Sequence, residues 1–283
     1  AGTIRDAVTG LPLAYRNVAI HDANGDIVGY AYSGAGGTYS YSGLQPGSYF
    51  VATTGSTDYV DELWENLDCG APCDVTRGTP VVVAFGVITS GIDFDLRLPY
   101  FSDVPLDHWA RRYIEGIFVA GITSGCGPGV YCPARSLSRA EMAVLLLTAE
   151  HGSAYVPPAP TGSIFTDVPA DHWAGAFIEA LAAEGVTSGC GAGNYCPDNL
   201  ITRAEMAVFL LAAEHGPDWI PPAPTGTVFG DVPGDHWAAA YIEALAAEGV
   251  TSGCGGGNFC PEGTLNRAEM AVFLSVTFGI TLD

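Results

Sequence analysis

Three Arg-Ala-Glu-Met-Ala-Val stretches place a guanidinium at Arg139, Arg203 and Arg267, directly after Ser138, Thr202 and Asn266. Each arginine falls in the first turn of a predicted helix, where the positive end of the helix dipole disfavours a cation. A guanidinium beside the N–H groups of a helix start makes an anion cradle suited to a carboxylate. The structural alternative is a bidentate salt bridge from each arginine to Asp103, Asp167 or Asp231 of a Phe-x-Asp-Val-Pro stretch, in the same or the next copy of the pattern. The two readings are compatible. Glu141, Glu205 and Glu269 follow the cap residues at capping-box spacing, which favours a cap over a functional acid.

Trp109, Trp173 and Trp237 have rings fit to stack on a sugar, but each begins an apolar stripe, so a core role is expected. His108, His172 and His236 precede them with no second histidine or cysteine at ligand spacing, and read as helix-start residues rather than metal ligands or a pH switch. The eight cysteines form four close pairs, Cys69/Cys73, Cys126/Cys132, Cys190/Cys196 and Cys254/Cys260. Even number and local pairing favour disulfides and an oxidising compartment. The rival metal reading lacks the C-x2-C knuckle and partner histidines. No G-x-S-x-G, H-E-x-x-H or P-loop occurs, and no cysteine is left over for nucleophilic work, so no enzyme is expected. Asp22-Ala23-Asn24-Gly25-Asp26 has part of a calcium-loop pattern without the closing Glu of a twelve-residue loop, and reads as a hairpin turn. No cofactor or metal is expected, with Ca²⁺ the one cation kept open.

The chain of 283 residues has 10 Lys+Arg, all arginine, against 31 Asp+Glu, for a formal net charge of −21. That excess repels phosphate backbones and anionic headgroups, which excludes nucleic acid as a partner. The absence of lysine removes Schiff-base and Lys–Asn isopeptide chemistry. No run of about 18 apolar residues exists to span a bilayer. The opening at Ala1, with neither Met nor a signal pattern, reads as a mature or trimmed chain.

The elements that carry these residues recur every 64 positions. Phe101, Phe165 and Phe229 begin three copies, each a helix, a Gly-[Ile/Val]-Thr-Ser-Gly-Cys turn, and a second helix. Asp107, Asp171 and Asp235 are expected to cap the first helix, and Gly121, Gly185 and Gly249 to end it in the left-handed region. Two short helices cannot bury an apolar face alone, so three stapled hairpins should share one pseudo-threefold core. The segments 155–162 (YVPPAPTG) and 219–226 (WIPPAPTG) read as extended straps, and the third copy is expected to end the array at Asp283. Residues 1–98 instead alternate in Val, Ile, Tyr and Thr between Asn-Gly, Gly-Gly and Pro-Gly turns, and predict an antiparallel β-sandwich rigidly coupled to the copies. The fold class is α+β multidomain, with a sandwich at 1–98 and copies at 99–162, 163–226 and 227–283. In copy one Phe118 and Val119 replace the alanines of the other copies, and Arg111/Arg112 replace Gly175/Ala176 and Ala239/Ala240. Phe118 and Val119 are therefore expected to pack on the sandwich or a neighbouring subunit.

The pattern F-x-D-V-P-x-D-H-W-A-x3-[YF]-I-E, the glycine turn and [TSN]-R-A-E-M-A-V resemble the S-layer homology (SLH) family in all three copies, over most of 101–275. Residues Gly10 to Leu13, Val18, Asp22 to Gly25 and Leu44-Gln45-Pro46-Gly47-Ser48-Tyr49 resemble the carboxypeptidase-regulatory or collagen-adhesin B-type family. The first resemblance implies a threefold bundle that attaches secreted proteins to cell-envelope polysaccharide, often pyruvylated, through grooves between copies. It maps those grooves onto Asp103, Trp109, Arg139, Asp167, Trp173, Arg203, Asp231, Trp237 and Arg267, with the turn supplying backbone donors. The expected function is non-catalytic attachment at the extracellular face of a bacterial cell, with the sandwich as spacer. The alternative is a subunit that polymerises with itself into an extracellular filament or surface layer, pairing through an edge strand such as Gly2–Asp6.

Overall fold

The computed structural model describes residues 1–69 and 73–282, in two compact units, 1–111 and 112–282. Asp283, the expected end of the third copy, and the interior of the Cys69–Cys73 loop lie outside the described residues.

The first unit has two sheets. In one, β4 (Thr38–Tyr39), β1 (Gly2–Asp6) and β9 (Phe94–Leu96) lie in that order; in the other, β3 (Ile27–Tyr32), β2 (Asn17–His21), β5 (Gly47–Thr54), β6 (Glu62–Leu63) and β7 (Leu67–Asp68) follow one another, with β8 (Val81–Val83) also on β5. Alternation in β1 and β9 and the apolar run of β2 bury Ile4, Val18, Ile20, Phe94 and Leu96 in one core with Val51 and Val81. Two expectations are corrected. The pairing is not wholly antiparallel, because β1 runs parallel to β9 through Ile4↔Phe94 and Asp6↔Leu96. Nor is Gly2–Asp6 an edge: β4 pairs with its start and β9 with its end. The stretch Pro80–Leu98 is split into β8 and β9 by a loop in which Gly86 and Gly91 take positive φ. The hairpin β6–β7, which periodicity in two-residue strands cannot signal, turns through Glu65 and Asn66, both at positive φ. Asp22–Asp26 is a turn in which Oδ1 of Asp22 accepts from the N–H groups of Asn24 and Asp26 at 2.9 and 3.0 Å.

Six helices follow: α1 (Arg111–Val119), α2 (Arg139–His151), α3 (Gly175–Ala183), α4 (Arg203–His215), α5 (Ala239–Ala247) and α6 (Arg267–Thr277). The first residue of α1 belongs to the first unit. There, buried Arg111 donates from Nη1 and Nη2 to Oδ2 and Oδ1 of buried Asp68, each at 3.0 Å. Capping boxes open α2, α4 and α6 as their spacing predicted, with Ser138, Thr202 and Asn266 accepting from the N–H of Glu141, Glu205 and Glu269. Gly185 closes α3 at φ 75°, and the N–H of Val186 donates to Leu181, the paired bonds of a Schellman end.

Leu137, Ile201 and Leu265 are fully buried and form a cycle: Ile201 N–H donates to Leu137, Leu265 N–H to Ile201, and Leu137 N–H to Leu265, at 2.9–3.0 Å. Each copy thus donates to the one before it, and the third copy is bonded back to the first. The straps are held by the Glu that ends each [YF]-I-E motif. Glu179 accepts from the N–H groups of Thr161 and Gly162 at 2.7 Å, and Glu243 from Thr225 and Gly226 at 2.7 Å. Gly162 is required at its place, since φ is 68° and a Cβ would stand 2.5 Å from the amide nitrogen of Ala170.

Candidate functional site

All four cysteine pairs are disulfides. The Cα–Cα distance is 4.9 Å at Cys69–Cys73, and 6.1, 6.1 and 6.0 Å at Cys126–Cys132, Cys190–Cys196 and Cys254–Cys260. In each copy the staple closes a tight turn, such as Cys190 N–H to Asn194 at 2.8 Å. Cysteine pairing gave no sign of one property of these loops. Cys132, Cys196 and Cys260 lie in the left-handed region, at φ 60, 60 and 59°, which residues other than glycine seldom adopt. The turn that follows holds each of them there: their carbonyls accept from the N–H groups of Arg135, Asn199 and Gly263 at 3.1, 3.2 and 2.9 Å.

The Phe-x-Asp-Val-Pro aspartate anchors the stapled loop. Asp167 accepts from the N–H groups of Tyr195 and Cys196 at 2.8 and 2.7 Å, and Asp231 from Phe259 and Cys260 at the same distances. Burial raises the Asp231 pKa, but these donors, its own backbone N–H and the Arg203 charge together leave the carboxyl below its ordinary value. Asp103 occupies the equivalent turn of the first unit, partly buried.

The anchored loop is the platform for the arginine of the preceding copy. Arg139 is buried, donates from Nε to the Tyr195 carbonyl at 2.9 Å, and lies 4.9 Å from the Tyr195 ring centre. Its Nη1 donates to Oε1 of Glu205 at 2.6 Å. Arg203 repeats the arrangement with the Phe259 carbonyl and Glu269, both at 2.8 Å. Arg267 completes the cycle by donating to the Tyr131 carbonyl at 2.8 Å and, more weakly, to Thr123 Oγ1 at 3.4 Å. The Tyr195 hydroxyl donates back to the Arg139 carbonyl at 2.9 Å, as Tyr131 does to Arg267 at 2.8 Å.

These contacts change three expectations. The helix starts are not anion cradles, because their N–H groups are taken by the next copy: Arg139 N–H donates to Asn199 and Ala140 N–H to Pro197, with equivalents at α4 and α6. The partner of Arg139 and Arg203 is not the Phe-x-Asp-Val-Pro aspartate but the capping-box glutamate of the following copy. The tryptophans are not core residues: Trp109, Trp173 and Trp237 are 63, 65 and 61% exposed. The helix begins two residues after each tryptophan, so periodicity counted from the indole had no helix beneath it. For the same reason Asp171 and Asp235 do not cap; Ala174 and Ala238 hold the N-cap position without a side-chain bond. The histidines take that part. Nδ1 of His108, His172 and His236 accepts from the N–H two residues on, at 3.2 Å, and each imidazole lies 5.8–5.9 Å from the neighbouring indole.

One groove gathers residues of all three copies. It has a volume of about 210 Å³ and is lined by Arg139 of the first, Val186 to Gly189, Glu205 and Phe209 of the second, and Trp237 of the third. Cys132, Cys196 and Cys260 are not among the residues that line it. Among the described residues Nη2 of Arg139 has no hydrogen-bond partner, so one edge of the guanidinium is left for a guest. The groove therefore offers a cationic edge, a polar glycine-bounded turn and an exposed indole. Glu205, Val208 and Phe209 are the lining residues that pattern reading did not put in the groove; the signal available was the repeated R-A-E-M-A-V, which holds Glu205 and Val208 and is followed by Phe209. Phe118 is partly buried and Val119 is 53% exposed at the end of α1.

Residues 100–143, 164–207 and 228–271 each match the family model described as S-layer homology domain. The chain is similar to the S-layer protein EA1 of Bacillus anthracis, 31% identical over 62% of this chain and 20% of that protein. It is 32% identical to the cellulosome-anchoring protein of Acetivibrio thermocellus over 55% of this chain and 35% of that one. It is also 32% identical to an uncharacterized cell wall amidase of Bacillus anthracis, over 62% of this chain and 32% of that protein. The chain thus matches between a fifth and about a third of these relatives' lengths.

Proposed function

We propose, starting from a chain that carries three S-layer homology domains, that it attaches to cell-envelope polysaccharide through the groove between its copies. It is an extracellular, cell-surface protein, and the described residues contain no helix long and apolar enough to cross a membrane. The groove that joins Arg139, the Val186–Gly189 turn and Trp237 is the observation that carries the reading. An indole exposed beside a polar turn suits a sugar ring, and the unpartnered Nη2 of Arg139 suits an acidic substituent such as a pyruvyl carboxylate. Asp167 and Asp231 act behind the surface, setting the stapled loops on which Arg139 and Arg203 rest. The two-sheet unit is the spacer, of carboxypeptidase-regulatory or collagen-adhesin B type.

Because Arg139 is part of the scaffold, the test uses Trp237→Ala with Ser188→Ala. Co-sedimentation with purified envelope polysaccharide should fall at least tenfold while the circular dichroism and melting temperature stay unchanged. Undiminished binding by this folded double variant would sink the proposal.

Self-assembly is the second reading, and it has its own observation. In and after β8, Val82, Phe85, Val87 and Ile88 are all exposed, Phe85 by 89% and Ile88 by 84%, on a strand that pairs with β5. An apolar tip on such a strand is suited to a second copy. Negative-stain microscopy across a concentration and Ca²⁺ series separates the readings: filaments or sheets support assembly, and isolated particles count against it.

A further inference from the structure

The C-terminal ends of α2 and α4 carry a cluster that attachment does not use. Glu150 and His151 end α2, and Glu184 caps α3 of the next copy; Glu214, His215 and Glu248 repeat this 64 residues later. In each set one imidazole nitrogen and two carboxylate oxygens lie within 4.8 Å of one another. Nε2 of His151 is 3.2 Å from Oε1 of Glu184 and 4.0 Å from Oε2 of Glu150. Nε2 of His215 is 3.0 Å from Oε1 of Glu248 and 3.9 Å from Oε2 of Glu214. Oε2 of Glu150 is buried and, among the described residues, accepts no hydrogen bond.

Nε2 can meet Glu184 or Glu248 in a hydrogen bond, but the second carboxylate of each set converges on the same point, an arrangement a bound cation would stabilise. The surroundings resemble those of a held ligand. A strap ring covers each imidazole, Tyr155 at 4.4 Å from His151 and Trp219 at 4.3 Å from His215, and the Tyr155 hydroxyl donates to Oε1 of Glu184 at 3.3 Å. The corresponding positions between the third copy and the first are Phe278, Gly279 and Ala120, which offer no ligand side chain.

We propose that Glu150, His151 and Glu184, and separately Glu214, His215 and Glu248, are two equivalent binding sites for a divalent transition ion of the Zn²⁺ class. Each joins the second helix of one copy to the first helix of the next. One imidazole with two carboxylates suits a borderline ion with water completing its shell, and not Ca²⁺, which takes six to eight oxygen ligands. The metal takes the Nε2 lone pair of the imidazole, and any proton displaced from a ligand passes to buffer.

Titration calorimetry of the EDTA-treated chain with ZnCl₂ at pH 7.5, in two buffers of different ionisation enthalpy, tests this. Two equivalents should bind with Kd near or below about 10 µM, with proton release and a rise in melting temperature, and CaCl₂ should not substitute. His151→Gln should leave one equivalent and His151→Gln with His215→Gln none, while both variants keep the circular dichroism of the parent chain. X-ray absorption at the zinc edge should show N/O ligation with one imidazole per ion. No binding below about 1 mM, or two equivalents persisting in the double variant, would overturn the proposal.

Discussion

Nη1 of Arg139 donates to Oε1 of Glu205 at 2.6 Å, across 66 residues of chain. The other oxygen of the same carboxylate, Oε2, accepts from the N–H of Thr202 at 2.9 Å and so closes the capping box of α4. Glu269 is divided in the same way between Arg203 and Asn266. One carboxylate therefore starts a helix and ties it to the previous copy, which makes capping and assembly of the bundle a single event.

Removing Arg139 should for that reason cost more than a surface ion pair. Its side chain is 4% exposed, and its loss leaves Glu205, the Tyr195 carbonyl and the Tyr195 ring without their partner. Arg139→Ala is expected to destabilise the chain by about 3 kcal/mol, as for a broken buried pair. Urea denaturation followed by tryptophan fluorescence measures it, and a loss under about 1 kcal/mol would mean the pair behaves as if exposed.

The tyrosine beneath the arginine gives a paired test. Tyr195→Phe removes the bond to the Arg139 carbonyl and should cost about 1 kcal/mol, whereas Phe259→Tyr places a hydroxyl where copy three lacks one and should recover up to about 1 kcal/mol. Both are read from chemical denaturation. Equal destabilisation by the two substitutions would show that ring packing, not the hydroxyl, decides.

Cys190→Ser with Cys196→Ser opens a loop of about seven residues, worth about 2.4 kcal/mol in chain entropy. The loop also presents Tyr195 to Arg139 through Asp167, so the measured loss should exceed that figure. Differential scanning calorimetry of the variant against the oxidised parent settles whether it does.

The first unit should lose stability as pH rises. Glu62 is buried on β6, its Oε2 has no partner among the described residues, and burial pushes its pKa up to about 8 despite nearby Arg97. The folded chain then keeps a proton that the unfolded chain releases near 4.5, so this contribution is complete below about pH 4.5 and gone above about 8. Between those limits up to about 5 kcal/mol should be lost, and Glu62→Gln should flatten the profile. Denaturation midpoints at pH 5, 6.5 and 8 check it.

Much of this molecule was legible in the order of its residues because the signals are local. A cap and its glutamate are three positions apart, a staple such as Cys126–Cys132 spans six, a helix ends at Gly185 because a residue without a Cβ takes φ 75° most easily, and the 64-residue period counts the copies. The left-handed backbone at Cys132 was not legible, because a cysteine's type and spacing announce its partner and not its φ. The partners of the repeated residues were not legible for the same reason that the repeat was. Near-identical copies present the same Asp and Glu to each arginine, so spacing cannot say whether Arg139 reaches Asp167 or Glu205. Only the cyclic packing of Leu137, Ile201 and Leu265 decides it, and closes Arg267 onto Tyr131 across 136 residues. The tryptophans followed suit: the apolar stripe counted from them predicted burial, but a helix that starts two residues later leaves the indoles in solvent and places Trp237 beside Arg139 in one groove. Local chemistry wrote the elements, and long-range closure chose among equivalent partners, because the free energy that distinguishes them exists only once three copies are packed.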